Sequence, residues 1–158
     1  MYINMEETPL SHHKRLAYCT TRLQYRQGRE LKAVKVYTVA SESRHILIFG
    51  VPKVNLHSEI KNKLQQFGKL RSFSCVTSEM AGRIELEAFT DVYAAQFERL
   101  EHARRAKRQL DAKQFFGGIL HISYAPEREN SQELREKLLQ RRKEIIQRLQ
   151  RNRSEQSH

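Results

Sequence analysis

The feature that most constrains this chain is the order in which its apolar residues change period between Ile46 and Ala125. Ile46 to Val51 is a short β-branched run closed by Gly50 and Pro52, too short for a helix, and it predicts a buried strand. From Ser58 the period becomes helical: Ile60, Leu64 and Phe67 share a face, and Gly68 stands where a helix ends. Leu70 to Val76 reads as a strand, then comes a polar, acidic connection through Glu79, Glu85 and Glu87, then a strand from Val92 to Phe97. Arg99 to Lys113 is amphipathic, with Leu100, Ala103, Ala106 and Leu110 inward and Arg104, Arg105, Lys107 and Arg108 outward. After Gly117 and Gly118, Leu120, Ile122 and Tyr124 alternate with His121 and Ser123 as one more half-buried strand.

What flanks this region is basic. Of 158 residues 30% are charged, and the net charge of +11 points to a polyanionic partner rather than a neutral metabolite. Residues 1–43 form a polar arm, with a possible extra strand over Ala33 to Val39 where Val34, Val36 and Thr38 alternate with Lys35 and Tyr37. Pro126 ends the compact region at 44–126. Asn130 and Glu133 then make a capping box for a helix over 130–152, whose apolar stripe is Leu134, Leu138, Ile145 and Leu149. Residues 153–158 are too polar to pack and are expected to be disordered. Only Cys19 and Cys75 are present, without a CxxC pairing, so neither a disulfide framework nor a zinc site is indicated. No signal-peptide run or membrane-length apolar stretch occurs, which predicts an intracellular protein with reduced thiols.

Strand, helix, strand, strand, helix, strand is the split βαβ order of an α+β, ferredoxin-like fold: a four-stranded antiparallel sheet with two helices on one face. The spacing resembles the RNA recognition motif. Glu59, Ile60, Leu64, Phe67, Gly68 and Leu70 stand as in its first helix and second strand, and Phe97, Ala103, Ala106 and Leu110 as in its third strand and second helix. Leu120, Ile122 and Ala125 match its last strand. The departures fall where that motif carries its base-stacking rings: Leu47, Val92 and Ala94 occupy the outward positions, and Thr90 stands where a basic residue is usual. Tyr93 and Phe97 have core parity. Phe49 has outward parity and completes a patch too apolar to face water, with His121 beside it as a further sheet-face or partner contact. Either a segment of this chain, the C-terminal helix or a flanking stretch, or a partner protein covers it.

A narrower likeness rests on His12-His13-Lys14-Arg15-Leu16-Ala17-Tyr18-Cys19, Ala33 to Thr38, Phe115-Phe116-Gly117-Gly118 and Tyr124-Ala125-Pro126-Glu127. These segments resemble the RNA-binding protein 48 family. The resemblance implies a nuclear component of the minor, U12-type spliceosome that acts in pre-mRNA splicing with a small armadillo-repeat protein and other spliceosomal proteins, at the 5′ end of U6atac small nuclear RNA.

The candidate RNA contacts are Lys14, Arg15, Tyr18, Arg22, Tyr25, Arg26, Arg29 and Lys35, because cations interleaved with rings suit single-stranded RNA: charge meets phosphate and rings stack on bases. Arg141, Arg142 and the basic faces of the C-terminal helix offer a second phosphate surface while its stripe packs. His12 and His13 lack a further ligand at diagnostic spacing, which favours a surface or RNA-contacting pair over a metal. Glu85 and Glu87 share strand parity without a nearby His, and Gly117-Gly118 lacks the Lys-Ser/Thr companion of a phosphate loop. The expectation is a non-catalytic, cofactor-free RNA-binding adaptor with no membrane partner. The competing expectation is a protein-interaction module that does not touch RNA directly.

Overall fold

The computed structural model describes residues 10–14 and 37–157. A short 3-10 turn, Ser11–His13, precedes β1 (His45–Pro52), α1 (His57–Gln65), β2 (Leu70–Cys75), α2 (Thr77–Ala81), β3 (Thr90–Phe97) and α3 (Leu100–Leu110). A two-stranded hairpin follows, β4 (Gln114–Phe115) with β5 (Gly118–Ile119), and then β6 (His121–Tyr124), a second 3-10 turn at Pro126–Arg128 and the long α4 (Ser131–Gln156). The four-stranded sheet has the order β2-β3-β1-β6, every pair antiparallel.

Strand parity sorts the core. Ile46 and Ile48 of β1, Tyr93, Ala95 and Phe97 of β3, and Ile122 and Tyr124 of β6 face α1 and α3, meeting Ile60, Leu64, Ala103, Ala106 and Leu110. The alanines let α3 lie close to the sheet. Phe73 of β2 stacks on Tyr93 at 5.3 Å with rings 4° from parallel, and His57 meets Phe73 edge-on at 5.0 Å. In β1 the register shifts between Ile48 and Val51, a bulge that returns Val51 to the core. Gly50 holds that bulge at φ +82°, where a Cβ would overlap the Ile119 carbonyl oxygen, so this approach of β1 to the hairpin requires glycine.

Several sequence expectations change here. Lys107 is not on the outer surface: it is buried, its Nζ donates to the Ile122 carbonyl at 2.6 Å, and it stands 5.2 Å from the Tyr37 ring centroid and 5.7 Å from that of Tyr124. Its ammonium is paired with Asp111 at 3.4 Å, which meets the requirement that a buried charge find partners. Helix α3 stops at Leu110 because Asp111 is extended and Ala112 takes φ +62°. The acidic connection after β2 contains α2, anchored where Thr77 Oγ1 donates to Asp91 and accepts from the Val92 amide at 3.0 Å. The Gly117-Gly118 break is the end of the β4–β5 hairpin, with Phe116 and Gly117 both at positive φ as a type I′ turn demands. The proposed strand over Ala33 to Val39 falls mostly outside the described residues; Tyr37 to Val39 is not strand and leads into a turn.

Helix α4 runs to Gln156 rather than ending near Asn152, so residues 153–156 are helical where disorder was expected. No Gly or Pro interrupts the helix-favouring Arg and Gln residues there, and the Ser154 hydroxyl donates to the Arg151 carbonyl. Asn130 Oδ1 accepts from the Glu133 amide at 2.8 Å, but Glu133 does not complete the capping box; its carboxylate accepts a hydrogen bond from His45 Nε2 at 2.7 Å.

The docking of α4 is polar. Lys137 is buried and donates to Glu129 at 2.8 Å and to the Glu42 carbonyl at 2.7 Å, while Arg44 reaches Glu136 at 3.0 Å. Consequently the stripe expected to pack does not: Leu134, Leu138, Ile145 and Leu149 are 43 to 58% exposed, with Leu139 and Ile146 beside them. The apolar part of the sheet face that might have received the stripe, at Leu47 and Val92, is already covered.

Candidate nucleic-acid interface

On the sheet face opposite α1 and α3, Leu47, Val92 and Ala94 form a second apolar cluster with Leu10, Val76, Met80 and Ala125. The first two are 1% exposed, so the apolar patch that was expected to need a cover has one. The cover is the chain itself: Leu10 from the N-terminal arm, and α2 with Ile84 and Leu86 from the β2–β3 connection. Burying Leu47 and Val92 in this way stabilises by about 1.5–3 kcal/mol each. No stacking platform remains on this part of the sheet.

The arm is held over β6 by a polar network. His13 Nε2 donates to Glu127 Oε1 at 2.5 Å and its Nδ1 meets the Ser123 hydroxyl, while His12 Nε2 reaches Glu127 Oε2 at 3.0 Å. His121 Nε2 donates to the His13 carbonyl at 2.9 Å, and its other ring nitrogen lies 3.6 Å from Asp111, whose Oδ1 also accepts from the Ile122 amide. His121 and Ser123, expected at a half-exposed surface, are therefore buried, because the arm seals their face. Burial pushes the His13 imidazole below its ordinary value, and Glu127 restores only part of the loss, so the ring is neutral near pH 7. Burial raises Glu127 and Asp111, but the His13 hydrogen bond to Glu127, and His121, the Lys107 ammonium and the Ile122 amide beside Asp111, more than offset it, leaving both carboxyls below their usual range.

Beside this seal a cleft of about 770 Å³ opens between the arm, the β1–β6 edge and the β2–β3 connection. Its walls carry the cations Lys14 and Arg83, the acids Glu85 and Glu87, and the half-buried ring of Phe49, which lies 5.9 Å from His13 and 5.6 Å from His121. Glu85 and Glu87 sit on a loop, not a strand. At the same end of the sheet Phe89 is 88% and Phe116 64% exposed, both with left-handed backbone, a strained state for an aromatic residue.

Of the candidate RNA contacts, Lys14 is exposed at the cleft; Arg15, Tyr18, Arg22, Tyr25, Arg26, Arg29 and Lys35 lie outside the described residues. Arg142 is exposed on α4, and Arg141 pairs with Glu144 at 3.5 Å, lining a groove of about 380 Å³ between α4 and α3. Sequence reasoning missed Leu10, Met80, Arg83, Ser123 and Glu127. Met80 and Ile84 do carry a signal, an i, i+4 apolar pair inside the acidic connection. Glu127 carried none, since its partners stand 114 and 115 residues away.

A four-stranded antiparallel sheet in this order, with two helices on one face, defines an RNA recognition motif fold, here extended by a covering arm and a C-terminal helix. Among solved structures it is similar to the third RNA recognition motif of Pes4 (15% identity, 55% of this chain, 96% of that one, TM-score 0.44). It is also similar to the Rna15 motif with bound GU RNA (16%, 56%, 89%, 0.44). No protein-family model matches the chain. Curated relatives do: RNA-binding protein 48 of Homo sapiens is 42% identical over 135 residues, 85% of this chain and 35% of that protein. Those of Mus musculus and Danio rerio are 42% identical over 141 and 134 residues. The chain belongs to the RNA-binding protein 48 family. It spans about a third of the length of the relatives it matches.

Proposed function

We propose that this protein is a nuclear, non-catalytic RNA-binding adaptor of the minor spliceosome that contacts the 5′ end of U6atac small nuclear RNA together with a small armadillo-repeat protein in pre-mRNA splicing. The spliceosomal part of this reading is supported by the family resemblance, and one observation supports the mode of RNA contact: the usual base-stacking positions Leu47 and Val92 are covered by the chain itself, while a cleft opens next to them at Lys14, the described end of a segment that the sequence continues with Arg15, Arg22, Arg26 and Arg29. RNA would follow the arm, with phosphates on its cations and bases against its tyrosines and the rings at the cleft. Glu85 and Glu87 on the far wall disfavour phosphate there and would orient the strand toward the arm.

A second reading, a module that binds protein and not RNA, is favoured by the exposed stripe of α4, which is of the kind that enters a partner's groove. Titration of a labelled short U6atac 5′-end RNA by fluorescence anisotropy, with and without the armadillo-repeat partner, separates the two. Salt-sensitive binding by the protein alone supports direct RNA recognition; binding only in the partner's presence supports the second.

A further inference from the structure

We propose that His12, His13 and Glu127 form a binding site for a divalent transition-metal ion of the Zn²⁺ class, which staples the N-terminal arm to the segment after β6. The three side chains each offer one ligand atom, and these atoms all lie within 4.8 Å of one another. His12 Nε2 stands 3.0 Å and His13 Nε2 2.5 Å from the two oxygens of one carboxylate. Tetrahedral Zn²⁺ with bonds near 2.0 to 2.1 Å sets its ligand atoms about 3.3 Å apart, so small rotations of the rings and the carboxylate would admit the ion at their centre.

The donor set selects the ion. Two imidazoles and one carboxylate suit Zn²⁺ and its first-row neighbours, whereas Mg²⁺ and Ca²⁺ prefer oxygen ligands throughout. The surroundings have the features of a ligand sphere. The His13 side chain is 0% exposed, and its Nδ1 meets the Ser123 hydroxyl; with the ion bound the ring would take the Nδ1–H tautomer, donating to Ser123 and freeing Nε2 of its proton for the metal, the outer support that metal-bound histidines usually have. His12 is 37% exposed, which leaves a fourth position open to water and gives the ion a way in from solvent. The two rings lie with centroids 3.9 Å apart and planes tilted by 44°, close enough for both to reach one ion.

Neither the sealed sheet face nor the proposed RNA contact requires this ion, so the inference stands apart from both. Its consequence is mechanical: the arm would be pinned, one and two residues before Lys14, to a point beyond the last strand. Because the ligands come together only in the folded chain, metal binding would also be folding free energy.

The test uses the full, untagged chain after chelator treatment. Co²⁺ is titrated while its visible d–d absorption is followed, Zn²⁺ is titrated by calorimetry, and thermal unfolding is compared with and without Zn²⁺. The expected result is one equivalent of Co²⁺ with the intensity of tetrahedral coordination and no thiolate charge-transfer band, displacement by Zn²⁺, and a higher midpoint with Zn²⁺. Glu127→Gln and His12→Gln should each abolish the Co²⁺ spectrum, and Ser123→Ala should weaken affinity by about 10- to 100-fold. His12→Gln decides the matter should Glu127→Gln fail to fold, since the half-exposed His12 ring is not part of the core. The absence of stoichiometric binding, a Cys-type spectrum, or unchanged affinity in His12→Gln would overturn the proposal.

Discussion

Leu47 and Val92 stand where rings would serve bases, and in this protein they are core residues that fill the space beneath Leu10 and Met80. Installing the missing aromatics should therefore not create a platform. Leu47→Tyr and Val92→Phe should each cost about 1–3 kcal/mol through overpacking, read from urea denaturation, with no gain in RNA affinity. A stable variant with tighter RNA binding would show that the cover opens. Asp111 sets a second outcome at this scale. Its carboxyl is held below the unfolded value, so it contributes stability that is fully present above about pH 4 and is lost as pH falls through its lower folded value. Asp111→Asn should flatten that acid limb of the stability curve, and should also lower stability near pH 7 because Lys107 loses its buried counter-charge. Denaturation midpoints from pH 2 to 6 for the two proteins, compared under equal salt, check both effects.

Helix α4 separates two kinds of residue that look alike in a helical period. Lys137 is buried with Glu129 and the Glu42 carbonyl, whereas Leu138 and Ile145 face solvent. Leu138→Glu with Ile145→Glu should leave stability within about 0.5 kcal/mol while weakening capture of a protein partner. Lys137→Ala should cost about 3–5 kcal/mol or release the helix, seen as faster amide exchange along α4. The sequence made the opposite assignment because period alone reports an apolar stripe, not what is available to meet it. Elements with a long, clean pattern were legible: β1, β3, α1, α3 and β6 follow from parity and spacing, and with them the fold. The β4–β5 hairpin and α2 were not, since strands of two residues and a helix of five carry too few positions to show a period. Of the candidate site, the inadequacy of the sheet face was legible from Leu47, Val92 and Ala94. The cover by Leu10 and the His13–Glu127 tie were not, because contacts across more than a hundred residues leave no local trace.

At the scale of the whole molecule, charge and cover act together. A net charge of +11 favours association with polyanions, and the cover over Leu47 and Val92 leaves the arm and cleft as the proposed contact for RNA. Each single-stranded phosphate neutralised should add about −0.7 to the slope of log affinity against log salt. Anisotropy titration of a short U6atac 5′-end RNA over a salt series, for the wild type and for Arg15→Glu, Arg22→Glu and Arg26→Glu combined, measures that slope and its origin. The expected result is a steep slope in the wild type and at least about tenfold weaker, flatter binding in the triple variant. Salt-independent affinity, or a triple variant that binds as the wild type does, would contradict recognition of RNA through the arm.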